Sequence, residues 1–142
     1  MPFLESYLVK DPFGVCGFAP TAGKNPLREL SGEEMQRLLD VLMDSGLFDV
    51  IAVDLSTGLG ESAMTVCSAA DRICLLQNTE GHKMREKHYL RHLESSCGED
   101  IREKIVKTER FEEQPPSPTA PLEGKFGQQI SKLTESLFDV VQ

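Results

Sequence analysis

Short apolar runs alternate with amphipathic or charged segments along this chain of 142 residues. Strand-length apolar runs occupy Gly14–Ala19, Phe48–Val53 and Arg72–Leu76, and helix-like stretches separate them. The middle run, FDVIAV, is almost continuously apolar, which is typical of a strand buried in a parallel sheet. The order predicts one α/β domain over residues 1–142, with a mainly parallel sheet flanked by helices and right-handed crossovers.

The clearest helix signal follows residue 31. Ser31 and Glu34 have the spacing of a capping box, and Gly46 can end the helix. The apolar residues between them recur at helical spacing: Met35, Leu38, Leu39, Leu42 and Met43. This stripe predicts a helix packed on one side of the sheet.

The remainder of the chain gives weaker signals for regular structure. Residues 61–70 predict a helix of small residues and residues 81–96 a charged helix, whereas Ile101–Thr108 fits either a strand or a helix. Four prolines predict a loop over 111–124. Apolar residues at helical spacing predict a C-terminal helix over 125–142 that packs against the sheet.

The charge balance excludes some classes of function. The chain has 15 basic and 23 acidic residues and a net charge of -8, which argues against general nucleic-acid binding. No apolar run reaches about 18 residues and the first residues lack signal-peptide character, so we expect a cytoplasmic protein. On its polar side the C-terminal helix sets Lys132 against Glu135 and Asp139, so membrane contact is not expected.

The basic stretch His82–His92 and the cysteines are two further candidate sites. The basic stretch His82–His92 places His88 and His92 four residues apart, a spacing that can bind metal, but no further ligand is evident. A solvated helix face or a partner-binding surface is the alternative interpretation. No C-x-x-C pair occurs among the cysteines, which predicts reduced structural thiols, with Cys67 and Cys74 both buried in their elements.

The segment after Phe48–Val53 is the strongest candidate for chemistry. Ligands in open α/β sheets bind beyond the carboxyl ends of strands, where Asp54 is expected to lie. A carboxylate there can hold a Mg²⁺-bound water beside a phosphate. The loop that follows offers two hydroxyls and two glycines that permit close approach of a ligand: Ser56, Thr57, Gly58 and Gly60. The alternative is a strand-to-helix turn in which Asp54 or Ser56 caps the helix.

Phe48–Gly60 resembles the Walker B strand and switch II segment of the MinD/ParA family of P-loop ATPases, in particular its CpaE-type branch, which is associated with pilus assembly. The family segment reads aromatic-Asp, four hydrophobic residues, Asp, small residues and Gly. The step Ala70–Arg72 into the next strand is also similar. The resemblance implies that Asp54 is the Mg²⁺-associated aspartate and Gly58 the switch II glycine. An intact member would bind Mg-ATP between two subunits and position cargo or switch partners.

The glycine-rich phosphate loop of that family has no counterpart in the sequence. Residues 17–25 place five residues between the glycines where the motif needs four, with Asn25 at the hydroxyl position and Pro26 where a helix should start. The segment Ile105–Arg110 also lacks the family's adenine-contacting pattern. We therefore expect an incomplete P-loop topology and no tight binding of Mg-ATP to this chain alone.

Two origins and two functions stay open at this point. The chain is either a gene fragment or a degenerate protein that uses the fold for binding, with a homodimer mate or a protein partner that completes the sheet. An assembly or positioning role follows from the resemblance. The competing hypothesis is a non-catalytic interaction module of flavodoxin-like or receiver-like type. Missing sheet elements would leave exposed apolar surface.

Overall fold

The computed structural model places two compact units along the chain, which we call the N-terminal unit, Met1–Val66, and the C-terminal unit, Cys67–Gln142. The structure describes residues 3–19, 22–23, 25–55, 59–76, 83–108, 111 and 123–138.

The N-terminal unit begins with an antiparallel hairpin. Strands β1 (Leu8–Lys10) and β2 (Cys16–Phe18) pair, and a single turn of 3₁₀-helix precedes β1. The turn between the strands is held by Asp11, whose Oδ1 accepts hydrogen bonds from the backbone N–H groups of Phe13 and Val15, at 2.8 Å each. The strand predicted over 14–19 is therefore present, but its partner is antiparallel.

Helix α1 (Gly32–Asp44) starts at the predicted capping box. The Ser31 hydroxyl accepts from the Glu34 N–H at 3.2 Å, and the Glu34 carboxylate accepts from the Ser31 N–H at 2.8 Å. Two orphan donors of the first turn are thereby satisfied. The buried stripe of α1 packs in a small core that contains Met35, Leu39 and Val66.

The prediction of a buried strand over Phe48–Val53 is wrong. Residues 50–55 run without regular structure, and Val50 and Val53 are 58% and 41% exposed. A strand that reads as continuously apolar needs neighbours on both edges and helices on both faces. Among the described residues of the N-terminal unit, only the hairpin contains strands, so the run Phe48–Val53 has no other strand beside it.

Helix α2 (Glu61–Ala69) crosses the boundary between the units. The C-terminal unit continues with three elements in the order strand, helix, strand: β3 (Ile73–Leu75), α3 (Lys83–Cys97) and β4 (Ile105–Lys107). Strands β3 and β4 are parallel, with Ile73 opposite Ile105. The three elements form a β–α–β unit, the arrangement that parallel pairing requires.

Several side chains of the C-terminal unit are almost completely buried. Leu93 of α3 is 0% exposed, Cys67 of α2 is 1% exposed and Ile101 is buried in the 3₁₀-helix Glu99–Lys104. Thr108 is buried as well, and its N–H donates to the Leu75 carbonyl at 3.1 Å, which extends the β3–β4 pairing. The last element is helix α4 (Gly124–Phe138).

The α/β class is confirmed, including a parallel strand pair. The helices predicted at 61–70 and 81–96 are present, and α4 begins one residue before the predicted range 125–142 and covers most of it. The segment Ile101–Thr108, whose sequence fits either a strand or a helix, contains both. The 3₁₀-helix Glu99–Lys104 ends directly before β4 begins. The described strands form one antiparallel and one parallel pair, not a mainly parallel continuous sheet. The predicted loop over 111–124 lies almost entirely outside the described residues.

Candidate functional site

Asp54 does not lie at the end of a strand. Its side chain is exposed on irregular backbone. Ser56, Thr57 and Gly58 lie outside the described residues. Gly60 is exposed immediately before α2, and its carbonyl accepts from the Met64 N–H at 3.1 Å, so it sits at the start of that helix. Asp54 therefore lacks the strand-end placement on which its predicted role rests.

The described part of this segment presents the Asp54 carboxylate to solvent from backbone without regular structure. Across the described residues, no group of three or more His, Cys, Asp or Glu could hold a metal ion. His88 and His92 lie on α3 as predicted, with His88 exposed and His92 half-buried. Neither is joined by the further ligands that a metal site requires.

The hairpin carries the feature that sequence reasoning missed. Five large apolar side chains in and beside it are between 55% and 79% exposed, and we call them the apolar hairpin surface: Phe3, Tyr7, Val9, Phe13 and Val15. Val9 lies in β1, whereas Tyr7 is the last residue of the 3₁₀-helix that precedes this strand. Val9 lies opposite Gly17, and an ideal Cβ built at Gly17 would meet no heavy atom within 4 Å.

The hairpin turn presents this surface on a defined backbone. Asp11 fixes the turn through its two hydrogen bonds, and its N–H donates to the Val15 carbonyl at 2.9 Å. Gly14 has a φ of 91°, a left-handed conformation that glycine adopts without strain. Local hydrogen bonds therefore fix the backbone of the turn, and the side chains of Phe13 and Val15 on this turn are exposed.

A sequence signal for the hairpin exists. Two apolar runs flank Asp11–Gly14, and the D-P-x-G pattern between such runs predicts a turn. The predicted parallel sheet includes only the second run, because it follows from the alternation of strand-like and helix-like segments. The first run, Tyr7–Lys10, then had no place in that sheet.

Helix α3 carries both acidic and basic side chains. Its two carboxylates form ion pairs with residues that follow the helix: Glu86 Oε1 is 2.5 Å from Lys107 Nζ, and Glu94 pairs with Arg102. The four cations of α3 are exposed, although Arg85 lies on a different side of the helix from the other three: Lys83, Arg85, Lys87 and Arg91. His88 is exposed as well.

Cys67 is the buried residue among the four cysteines. Burial raises the pKa of the Cys67 thiol, and the neighbouring Cys97 raises it further. The Tyr89 hydroxyl forms a hydrogen bond with the Cys67 thiol. Burial, together with this neighbouring thiol, raises the pKa of Tyr89 to about 12. The prediction that Cys67 is buried is confirmed. The prediction that Cys74 is buried is wrong, because the strand β3 exposes it.

Helix α4 is amphipathic, as predicted. Its apolar residues Phe126, Ile130, Leu133 and Leu137 are half-buried, and the ring of Phe126 lies 5.3 Å from that of Phe111. None of the helices in the described part of the chain has the length and apolar character needed to cross a bilayer.

Comparisons with protein-family models, with curated proteins and with solved structures gave no match to this chain.

Proposed function

We propose that this chain is a protein-binding subunit with an assembly or positioning role, and that it does not act as an ATPase by itself. The apolar hairpin surface carries the proposal. Contiguous exposed apolar patches of large side chains are uncommon on monomeric proteins and mark interaction sites. A two-stranded hairpin is also marginal on its own in water, so a partner that covers it would stabilise it.

A partner that adds a β-strand fits this surface best. The two-stranded sheet has an outer edge on β1 and another on β2, and neither is paired with a third strand within the described residues. Unpaired edges offer backbone N–H and C=O groups to an incoming strand, while the adjacent apolar side chains give it specificity. A second copy of the chain and a different protein both meet this description.

The proposal includes the MinD/ParA/CpaE-like class, with an incomplete P-loop NTPase topology. Two observations support it: the resemblance of Phe48–Gly60 to the Walker B and switch II segment, and the parallel β3–α3–β4 unit, the building block of such sheets. In this proposal Asp54 occupies the family's aspartate position, and the intact family uses Mg-ATP. An in-frame glycine-rich loop encoded upstream of Met1 would favour this class over a flavodoxin-like or receiver-like module.

Photo-crosslinking in the native cell tests the binding role. A crosslinking amino acid at Val9 or Val15 is expected to give a defined protein adduct, and the same amino acid at the exposed Lys132 is not. Tyr7→Lys, which places a charge two residues before Val9, should remove the adduct formed from Val9. Equal labelling from all three positions, or none from the hairpin, would refute the proposal.

A thermal-shift titration with Mg-ATP tests the second half of the proposal. We expect no change in Tm for the chain, and none for Asp54→Ala. A stabilisation that disappears in Asp54→Ala would show that the chain binds nucleotide without the phosphate loop, and the proposal that it does not act alone would then fail.

A further inference from the structure

We propose that the hairpin binds a second copy of the chain, and that the segment of this copy that pairs with it is the run Phe48–Val53. The run adds to the outer edge of β1 as a third, antiparallel strand. Because it names the partner of the same surface, this pairing rests on the proposed function and commits to one of the two kinds of partner left open there.

The run Phe48–Val53 has the composition of a strand but forms none within the described residues. Its six residues are rich in Val, Ile and Phe and include neither proline nor glycine, which is typical of segments that pair with another chain. No backbone hydrogen bond joins the run to another residue in the part of the chain that the structure describes. Val50 and Val53 are exposed as well. The backbone groups of the run and these two side chains are therefore available to a partner.

The hydrogen bonds of the hairpin determine which backbone groups of β1 face outward. The Asp11 N–H donates to the carbonyl of Val15, so these two residues form a hydrogen-bonded pair. Such pairs alternate with non-hydrogen-bonded pairs along an antiparallel ladder, so Lys10 and Leu8 direct their backbone groups away from β2.

Three of these four outward groups are free to accept a new strand. The Leu8 N–H donates to the Glu5 carbonyl, which leaves the Leu8 carbonyl and both backbone groups of Lys10. No third strand pairs with this edge among the described residues. An added strand can therefore form three backbone hydrogen bonds with β1.

One antiparallel register matches the run to this edge. It aligns one pair of opposite charges and two apolar pairs across the two strands: Lys10 with Asp49, Val9 with Val50, and Leu8 with Ile51. Opposite charges and apolar side chains directly across two strands stabilise a sheet. Val9 and Val50 are both exposed in the single chain, so the pairing covers apolar surface on both copies.

The other strand edges match the run less well. Strand β2 has no charged residue that could face Asp49, and it has Gly17 where β1 has Val9. Strands β3 and β4 expose only Cys74 and Lys107, so they offer no large apolar side chain.

The occupant is a second copy because the chain itself supplies the matching strand. The run and the edge of β1 both lie in the N-terminal unit, yet they are not paired with each other in the single chain. Each copy carries one edge and one run, so two copies can exchange runs in two equivalent contacts, as in a closed symmetric dimer. The contact is made mainly by backbone groups and apolar side chains, so it does not depend on attraction between two chains of net charge -8.

Sedimentation equilibrium of the full chain measures this pairing. We expect a monomer in dilute solution and self-association as the concentration rises. Association should persist at about 1 M salt, because screening weakens the repulsion between two acidic chains. Val50→Lys should weaken association about tenfold or more, because it places a charge against the apolar side chain of Val9.

A matched control makes the same change elsewhere in the N-terminal unit. Met43→Lys replaces an exposed apolar residue of α1 and should leave association unchanged. Circular dichroism checks that each variant folds, and Val50→Asn serves where Val50→Lys does not.

Single-cysteine chains test the register. The background has serine in place of Cys16, Cys74 and Cys97 and keeps Cys67, which is buried. A chain with Val9→Cys, mixed with a tagged chain with Val50→Cys and oxidised with diamide, should give a disulfide-linked dimer of both. The register places the two Cα atoms about 4.5 Å apart, within the range of a disulfide.

Gly17→Cys is the matched control for Val9→Cys. Gly17 lies opposite Val9 in the hairpin, and a Cβ built there meets no heavy atom within 4 Å, so the cysteine fits. It is one strand further from the added run, about 10 Å in all, and should not form the disulfide. Val53→Cys, three residues out of register, should not pair with Val9→Cys either.

Several results would overturn the proposal. They are a monomer at every concentration, an equal loss of association in Met43→Lys, and equal disulfide formation from Gly17→Cys or Val53→Cys. A chain that stays monomeric while its hairpin forms an adduct with a different protein in the cell would refute this pairing and leave the proposed function standing. A monomer whose hairpin forms no adduct at all would refute both.

Discussion

The N-terminal and C-terminal units bury their apolar residues to very different extents. Ten of the thirteen large hydrophobic side chains that are exposed in the described part of the chain belong to the N-terminal unit. The C-terminal unit instead closes its interior over Leu93, Cys67 and Ile101. The two units therefore differ in how far their own residues cover their apolar side chains, and this difference underlies the proposal that the N-terminal unit binds a partner.

The connection between strands explains part of this difference. Strands β3 and β4 are parallel, so the chain between them must cross over, and α3 brings Leu93 into the interior. The hairpin pairs through a short local turn and brings no covering element with it. Its strands therefore keep one apolar face outward.

The largest expected effect tests the closed interior. Leu93→Ala removes a fully buried side chain and should lower the free energy of unfolding by about 2–5 kcal/mol, since it leaves a cavity. Urea denaturation of the full chain measures it. Met84→Ala on the same helix is the control and should change stability by about 0.5 kcal/mol or less, because Met84 is exposed. Equal losses from the two variants would mean that α3 does not form the interior.

A smaller loss is expected from the core of the N-terminal unit. Leu39→Ala should cost about 2 kcal/mol, at the low end for buried leucines, because its cluster is small and can partly collapse. The same urea titration gives the value. A loss larger than that of Leu93→Ala would reverse the comparison between the units.

The capping box of α1 should contribute about 1 kcal/mol. Ser31→Ala removes the hydroxyl that accepts the Glu34 N–H, and thermal unfolding at neutral pH measures the loss. The hydrogen bonds from Ser31 lower the pKa of Glu34 below its usual 4.5. A lowered carboxyl pKa stabilises the fold above the unfolded value, and this contribution disappears as pH falls through the folded value. The Ser31 backbone N–H, the larger cause of the lowered pKa, remains in Ser31→Ala, so most of the difference from the wild type should persist in acid. Complete convergence of the two proteins at low pH would contradict the assignment.

The smallest expected effect lies at alkaline pH. Burial raises the pKa values of Cys67 and Tyr89, the latter to about 12, so the neutral forms are favoured by folding. That stability is complete below the unfolded values, near 9 and 10, and is lost as pH rises through the folded ones. Tyr89→Phe should flatten the fall in Tm between pH 10 and about 12. A variant that follows the wild-type curve would show that Tyr89 ionises freely.

Local signals in the sequence predicted local structure well. The Ser31–Glu34 spacing defines its own hydrogen bonds, so the start of α1 could be predicted without tertiary information. The alternation of strand and helix predicts parallel pairing, which β3 and β4 confirm, although the sequence of Ile101–Thr108 by itself fits either a strand or a helix. These features depend on neighbours in sequence or on one crossover.

Features that depend on distant neighbours were not predictable in the same way. The run Phe48–Val53 reads as a buried strand from its composition alone, yet a strand forms only where another strand pairs with it. The predicted placement of Asp54 at a strand end depended on that strand, and it is wrong because the strand does not form. Composition likewise did not show that Cys74 faces outward, because burial in a strand depends on which face is covered.

Amide hydrogen exchange on the chain alone tests the central claim, that the hairpin is uncovered until a partner binds. We expect low protection for the Ala19 N–H, which donates to Tyr7 in the hairpin, and high protection for the Thr108 N–H, which donates to Leu75 in the C-terminal unit. Equal protection of the two amides would contradict the account, because the hairpin would then be stably covered without a partner.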